Sequence, residues 1–322
     1  MEIVIRFTYF ETFAGTGVGG LALDKHNCIN VGYSEIDTYA VKNYNANFPN
    51  RTNYGDITKI KETDLPSFDI MIGGSPCQNI SIMRRRWTEG GKDEGLEGEE
   101  SKLFYDYLRI LNEKLPKWFI FENVQNLINS NNGEDFNIVK ESFEENYNIK
   151  YKILNTSDYG VPQTRRRLYI IGQRKDLGEF TYEFPLKRIL NNTVFDLLEE
   201  NVDDKYYLSQ KMYDYVMAEG TKNFKQKAET DLKIARPLTA TMHKMHRAGT
   251  DNYYHTKYKP KNKTNLRKLT PRECARLQGL EDTYKIVVSD TQAYKLFGNA
   301  MSYNVISEVV DSLFKCIQDV VL

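Results

Sequence analysis

The chain has 322 residues, 40% apolar and 27% charged, with 44 bases balancing 44 acids and a mean hydropathy of −0.58. That length supports one large domain, or one with a smaller companion, and no run of 18 apolar residues exists to span a membrane. The N-terminal stretch mixes an acid and an arginine into its apolar residues, unlike a signal peptide. Cys28, Cys77, Cys274 and Cys316 show neither CxxC nor metal-ligand spacing, which fits a reducing cytosol better than disulfides or structural zinc.

The first 175 residues alternate short apolar runs with helical patterns. Strands are predicted at Ile3–Phe10, Ile29–Ser34, Asp69–Ile72, Trp118–Phe121, Lys150–Asn155 and Leu168–Gly172. Helices are predicted at Gly17–Lys25, Thr38–Phe48, Lys102–Leu115 and Asp135–Asn146. This alternation argues an α/β fold with a mostly parallel sheet covered on both faces, whose ligands sit at the carboxyl ends of the strands. After about residue 185 the apolar periodicity weakens and Tyr, Lys, Asn and Thr dominate, which predicts a smaller domain over 186–280. The segment Ser302–Leu322 returns to a helical spacing and is expected to pack back on the first domain. Charge is uneven: residues 210–270 hold 14 Lys/Arg against 5 Asp/Glu, with His243, His246 and His255 among them. Such a block reads either as a polyanion-binding surface or as a solvated lysine face.

Four motifs lie at strand ends. Phe13-Ala14-Gly15-Thr16-Gly17-Val18-Gly19-Gly20 follows the first strand and contains G-x-G-x-x-G, with Glu35 ending the second strand. Glycines allow a tight turn, the following helix N-terminus offers N–H groups to an anion, and Glu35 can accept both hydroxyls of an adenosine ribose. This suits NAD or S-adenosylmethionine. Gly73-Gly74-Ser75-Pro76-Cys77-Gln78 places a cysteine on a strand-end turn, as a nucleophile or as a small buried hydrophobe. Phe121-Glu122-Asn123-Val124 sends a carboxylate out of an apolar strand, either as an acid of raised pKa or as a salt-bridged or capping glutamate. In Gln163-Thr164-Arg165-Arg166-Arg167-Leu168, strand parity puts Arg165 and Arg167 on one side, where both are expected to converge on the crevice and hold Glu122.

With Arg267-Lys268-Leu269-Thr270-Pro271-Arg272-Glu273-Cys274-Ala275-Arg276-Leu277-Gln278-Gly279 and Phe297-Gly298-Asn299-Ala300-Met301, these motifs resemble those of the DNA cytosine-5 methyltransferases, in the family's order from residue 13 to 301. The resemblance implies a Rossmann-like S-adenosylmethionine-dependent methyltransferase fold with a small target-recognition domain. The catalytic, cofactor-binding domain would span 1–185 plus 281–322, and the DNA-binding domain 186–280. It implies Cys77 as the nucleophile on cytosine carbon 6, Glu122 at ring nitrogen 3, and Arg165 and Arg167 bracing the glutamate and the base. Phe13, Ala14, Gly15, Thr16, Gly17, Glu35, Ile36, Asp56, Ile57, Pro76, Asn299 and Ala300 match positions around S-adenosylmethionine, Asp56 at the adenine amine. No metal is implied.

Gln78, Ser81, Arg84, Arg85 and Arg86 are expected to meet DNA, the arginines in a glycine-rich segment over 81–101 that reads as a lid. The implied partner is double-stranded DNA, handled by a cytoplasmic monomer of bacterial or phage type without a membrane, and a cognate restriction endonuclease acting separately is compatible with it. Two other readings stand beside this one: an RNA (tRNA) cytosine-5 methyltransferase on the same scaffold, and an NAD oxidoreductase, which leaves Ser-Pro-Cys-Gln and Gln-x-Arg-x-Arg without a use.

Overall fold

Six apolar runs of the chain pair into one sheet. In the computed structural model, which describes residues 6–75, 103–223, 225–244 and 247–321, the strands are β1 (Thr8–Thr12), β2 (Ile29–Ser34), β3 (Ile70–Gly73), β4 (Trp118–Val124), β5 (Tyr147–Asn155) and β6 (Arg166–Arg174). They lie in the order β2-β1-β3-β4-β6-β5. β1 pairs in parallel with β2 and β3, β3 in parallel with β4, and β6 runs antiparallel to β4. The mostly parallel sheet expected from sequence is present, with its reversal at β6. β3 and the Trp118–Phe121 run of β4 are buried throughout, as strands covered on both faces must be.

Strand parity divides the core. Phe10, Met71, Phe119, Phe121, Leu168 and Ile170 face one side. There they meet α3 (Leu103–Lys114), which buries Phe104, Tyr107, Ile110 and Leu111 at helical spacing, and α4 (Glu134–Glu144), which buries Phe136, Val139 and Phe143. Aromatic edges fill this layer; Phe143 alone lies within 6.1 Å of the ring centroids of Phe104, Tyr107, Phe119 and Phe121. Tyr9, Glu11 and Ile72 face the other side, against α1 (Val18–Asp24). α2 (Thr38–Asn47) starts where Asp37 accepts the N–H groups of Tyr39 and Ala40.

The chain divides into two compact units. The first comprises Met1–Leu154, Arg166–Leu186 and Val305–Leu322; the second comprises Asn155–Arg165 and Lys187–Asn304. Residues 155–165 and 281–304 thus group with 187–280, beyond the boundaries drawn from composition. Hydrogen bonds explain the grouping: the Gln163 amide donates to the Leu277 carbonyl at 2.6 Å and accepts from the Leu238 N–H at 2.9 Å. The C-terminal helix, α8 (Tyr303–Val321), joins the first unit from Val305 onward, where Asp311 pairs with Lys25 and His26, both at 2.7 Å.

The second unit contains the two-stranded sheet β7 (Tyr253–His255) with β8 (Leu266–Lys268), and helices α5 (Gln210–Met217), α6 (Pro271–Leu277) and α7 (Asp290–Asn299). Its anchor is a fully buried bidentate pair: Arg267 Nη1 and Nη2 donate to the Glu273 carboxylate at 2.8 and 2.6 Å. The same carboxylate closes a capping box on Thr270 at the start of α6, with Pro271 at the first helical position. Removing one partner of such a pair strands a buried charge. Arg267→Met is expected to lower stability by about 3–5 kcal/mol in urea unfolding followed by circular dichroism.

Candidate active site

The ladder sets one edge level. Thr12 of β1 pairs with Ser34 of β2 and Gly73 of β3, and Gly73 pairs with Phe121 of β4. The turns beginning at Phe13, Glu35 and Gly74, and the side chain of Glu122, therefore leave the sheet side by side.

In the glycine turn Phe13, Gly15 and Gly17 have φ of 50°, 50° and 75°. A Cβ on Gly17 would stand 2.4 Å from the Phe48 ring and 2.8 Å from the Tyr44 ring, so both its φ and its surroundings demand glycine. Ala14 and Thr16 are buried. The turn is tied to β2 at both ends of Glu35. One carboxylate oxygen accepts the Gly15 N–H at 2.9 Å, and the other accepts the N–H groups of Ile36 and Asp37 at 2.8 Å.

Three of the roughly four acceptor positions of a carboxylate are so filled. The Ile36 side chain beside it is 68% exposed, a large apolar group standing free at a strand end. Asn53, which sequence reasoning does not single out, splices in the next loop. Its Oδ1 accepts from the N–H groups of Glu35 and Gly55, and its Nδ2 donates to the Glu35 carbonyl. The only trace of it in the sequence is a turn-forming asparagine two residues before Gly55. Asp56 then caps the turn at Ile57–Lys59 through Thr58, whose hydroxyl holds its carboxyl below the usual range. The Ile57 side chain lies in the core.

Beneath the turn a second carboxylate is buried. Glu11 accepts the Gly20 N–H at 2.9 Å and the Tyr44 hydroxyl at 3.0 Å. Burial pushes its carboxyl up to about 7, against the lowering pull of those bonds and of Arg51. Arg51 in turn donates to the Tyr44 hydroxyl and the Asp24 carboxylate, and its guanidinium lies over the Phe48 ring at 4.5 Å. In the first turn of α1, then, an N–H group that sequence offers to a ligand anion is already bonded to the chain's own acid.

β3 leaves the sheet through two glycines that admit no side chain. A Cβ on Gly73 would lie 2.3 Å from the Thr12 carbonyl oxygen, and one on Gly74 2.1 Å from the Glu122 carbonyl oxygen. Ser75, which follows, is buried. Glu122 lies within β4, opposite Tyr169 of β6, and Arg167 is its diagonal neighbour on the same face. Arg167 Nε approaches Glu122 Oε1 to 3.2 Å, the two side chains being 20% and 13% exposed.

Arg165 does not join them. Its guanidinium is buried in the second unit and donates to the carbonyls of Leu238, Gly298 and Ala300 at 2.8–3.1 Å. Parity failed here because Arg165 precedes the strand: its carbonyl accepts the Thr156 N–H, and β6 starts one residue later. Asn299 ends α7 exposed, and Ala300 follows it, buried. Pro76, Cys77, Gln78, Ser81, Arg84, Arg85 and Arg86, with the expected lid, lie outside the described residues.

A family model for the C-5 cytosine-specific DNA methylases matches residues 7–315. The chain belongs to that family. It is 37% identical over 321 residues to the type II methyltransferase M.SsoII of Shigella sonnei, covering 96% of this chain and 80% of that protein. It is 34% identical over 322 residues to the type II methyltransferase M.HhaI of Haemophilus parahaemolyticus, covering 94% and 92%. Among solved structures it resembles the methyltransferase EhMeth of Entamoeba histolytica, with a TM-score of 0.77 and 22% identity over 97% of this chain and 99% of that one. It also resembles the Dnmt2 methyltransferase of S. pombe, with a TM-score of 0.72 and 20% identity over 97% and 99%.

The protein is therefore a cytosine-5 DNA methyltransferase, and its family implies S-adenosylmethionine as methyl donor. The residues present fit that group: the Glu35 carboxylate offers an acceptor for a ribose hydroxyl, and the free Ile36 side chain offers an apolar face for a base. Gly74 yields a direct test of the site. Gly74→Ala drives a methyl group into the Glu122 backbone and must displace Glu122 or the chain that leads to Cys77. Methyl transfer is expected to fall at least about 100-fold, since small misplacements at a reacting centre are costly, while circular dichroism stays near wild type.

Proposed function

We propose that the protein methylates carbon 5 of a cytosine flipped out of a specific double-stranded DNA sequence, through a covalent adduct on Cys77. The observation that carries this reading is the Glu122–Arg167 pair at the sheet edge, beside the glycine pair that leads the chain to Cys77. The target carbon is inaccessible in a stacked duplex, so the base must leave the helix. Arg167 fixes the Glu122 carboxyl, which hydrogen-bonds ring nitrogen 3 and steadies the base. The Cys77 thiolate adds to carbon 6, and the electron pair released in the ring makes carbon 5 nucleophilic. S-adenosylmethionine supplies the electrophilic methyl group. A base, for which water suffices, then removes the carbon 5 proton, and the thiolate leaves. Phe13, Ala14, Gly15, Thr16, Gly17, Glu35, Ile36, Asp56 and Ile57 hold the donor; Pro76, Asn299 and Ala300 are assigned to it by resemblance alone. We assign no metal to the reaction.

Cys77→Ser is expected to abolish transfer from radiolabelled donor, because a hydroxyl is far less ionised than a thiol at neutral pH. DNA carrying 5-fluorocytosine at the target should remain covalently attached to the wild-type protein on a denaturing gel, and not to the serine variant. An attached band of equal strength in the variant would point to another nucleophile. Bisulfite sequencing of DNA from expressing cells reads the position and the recognised sequence, and a parallel assay on tRNA tests the RNA substrate.

The second unit is proposed as the target-recognition domain. Its arginines are largely internal: Arg236 and Arg247 donate to backbone carbonyls and Arg267 to Glu273. The exposed cations are mostly lysines, among them Lys222, Lys225, Lys233, Lys257, Lys259 and Lys261, together with Arg188. If these and the Arg84–Arg86 run neutralise about five to eight phosphates, log affinity should fall against log salt with a slope of about −5 to −7. A flat response in fluorescence-anisotropy titrations from 50 to about 200 mM salt would contradict a DNA-binding face.

A further inference from the structure

The buried acid beneath the glycine turn has no part in the chemistry above. Glu11 enters the first turn of α1 from the sheet side, and three observations show that the turn is built around it. Its carboxylate bonds the Gly20 N–H and the Tyr44 hydroxyl. Gly19 and Gly20 leave it room: a Cβ on either would stand 3.0 and 2.8 Å from its oxygens. The charged groups around it are Asp24 of α1 and Arg51 of the loop after α2, with the phenols of Tyr9, Tyr33 and Tyr44 from β1, β2 and α2. With Glu11 ionised this cluster holds two carboxylates against one guanidinium, so the turn carries a net negative charge where a helix start would otherwise present positive potential.

We propose that Glu11 sets the ligand class of the glycine turn, favouring a nucleoside with net positive charge and rejecting nucleotides that carry phosphate. The inference rests on reading the turn as the S-adenosylmethionine site. A nucleotide phosphate would meet a filled anion position and a like charge. S-adenosylmethionine, positive at sulfur, meets a favourable one. S-adenosylhomocysteine has the same adenosine, amino and carboxylate groups but a neutral sulfur, so preference for the donor over the product is the quantity Glu11 controls. Because burial pushes the Glu11 carboxyl up to about 7, its charge grows through neutrality, and that preference should grow with it.

Calorimetric titration of the whole protein with S-adenosylmethionine, S-adenosylhomocysteine and ADP tests this at pH 6, 7 and 8. In wild type the affinity ratio of donor to product should rise about threefold or more from pH 6 to 8. Glu11→Gln keeps the size and the bond from the Gly20 N–H, with the amide nitrogen turned to donate to the Tyr44 oxygen in place of accepting from it. At pH 8 it should weaken the donor about fivefold to tenfold, change the product less than about twofold, strengthen ADP, and leave a ratio that no longer varies with pH. Equal weakening of donor and product would make Glu11 a packing residue and overturn the proposal. So would a wild-type ratio that is flat with pH, a measurement that needs no variant. A wild-type protein that binds neither ligand removes the cofactor reading itself, a failure visible before any variant is made.

Discussion

Two glycines at the end of β3 set the geometry of the first unit. Gly73 passes against the Thr12 carbonyl and Gly74 against the Glu122 carbonyl, each at a distance no side chain tolerates. The chain can leave the sheet between β1 and β4 only as bare backbone. That passage sets Ser75 between the glycine turn on one side and Glu122 on the other. A parallel ladder alone would deliver the same loops to the same edge, but at the ordinary strand spacing of about 4.8 Å without this narrowing. The closeness of a backbone turn to a carboxylate on the next strand is thus dictated by two residues with no functional groups.

The regular elements were legible because their physics is local. Apolar alternation and caps place β2 at Ile29–Ser34 and α2 from Thr38, as the residues predict. β4 runs three residues further than its apolar run, because pairing with β6 keeps Glu122, Asn123 and Val124 extended. What sequence could not give were the long-range partners of polar groups. Parity assigned Arg165 to Glu122, whereas three carbonyls distant in sequence claim it. The basic block could be read as a polyanion-binding surface or as a solvated lysine face; its arginines are spent largely on internal acceptors, and most of its lysines face water. Asn53 and Glu11 carry no motif of their own; each matters through backbone N–H groups that only the fold brings near.

Charge is handled differently in the two units. Around the glycine turn Glu35 and Glu11 are held by backbone N–H groups and a phenol, with no cation paired directly to either among the described residues. In the second unit the terminal nitrogens of the buried guanidiniums have fixed acceptors, one carboxylate in bidentate geometry for Arg267 and three carbonyls for Arg165. A buried guanidinium with fixed partners specifies one arrangement of the elements it joins, because leaving it unmatched costs several kcal/mol, about 3–5 for a broken buried pair.

The remaining sulfurs give the protein a chemical consequence. Cys28, Cys274 and Cys316 are all buried. Burial pushes the Cys28 thiol up to about 12 and the Cys274 thiol well above the usual thiol range. Alkylating reagents attack the thiolate, and they need access to it. In the native protein these three positions are therefore silent toward iodoacetamide or a maleimide. A fluorophore or spin label aimed at Cys77 at neutral pH would not need the usual replacement of these three background cysteines.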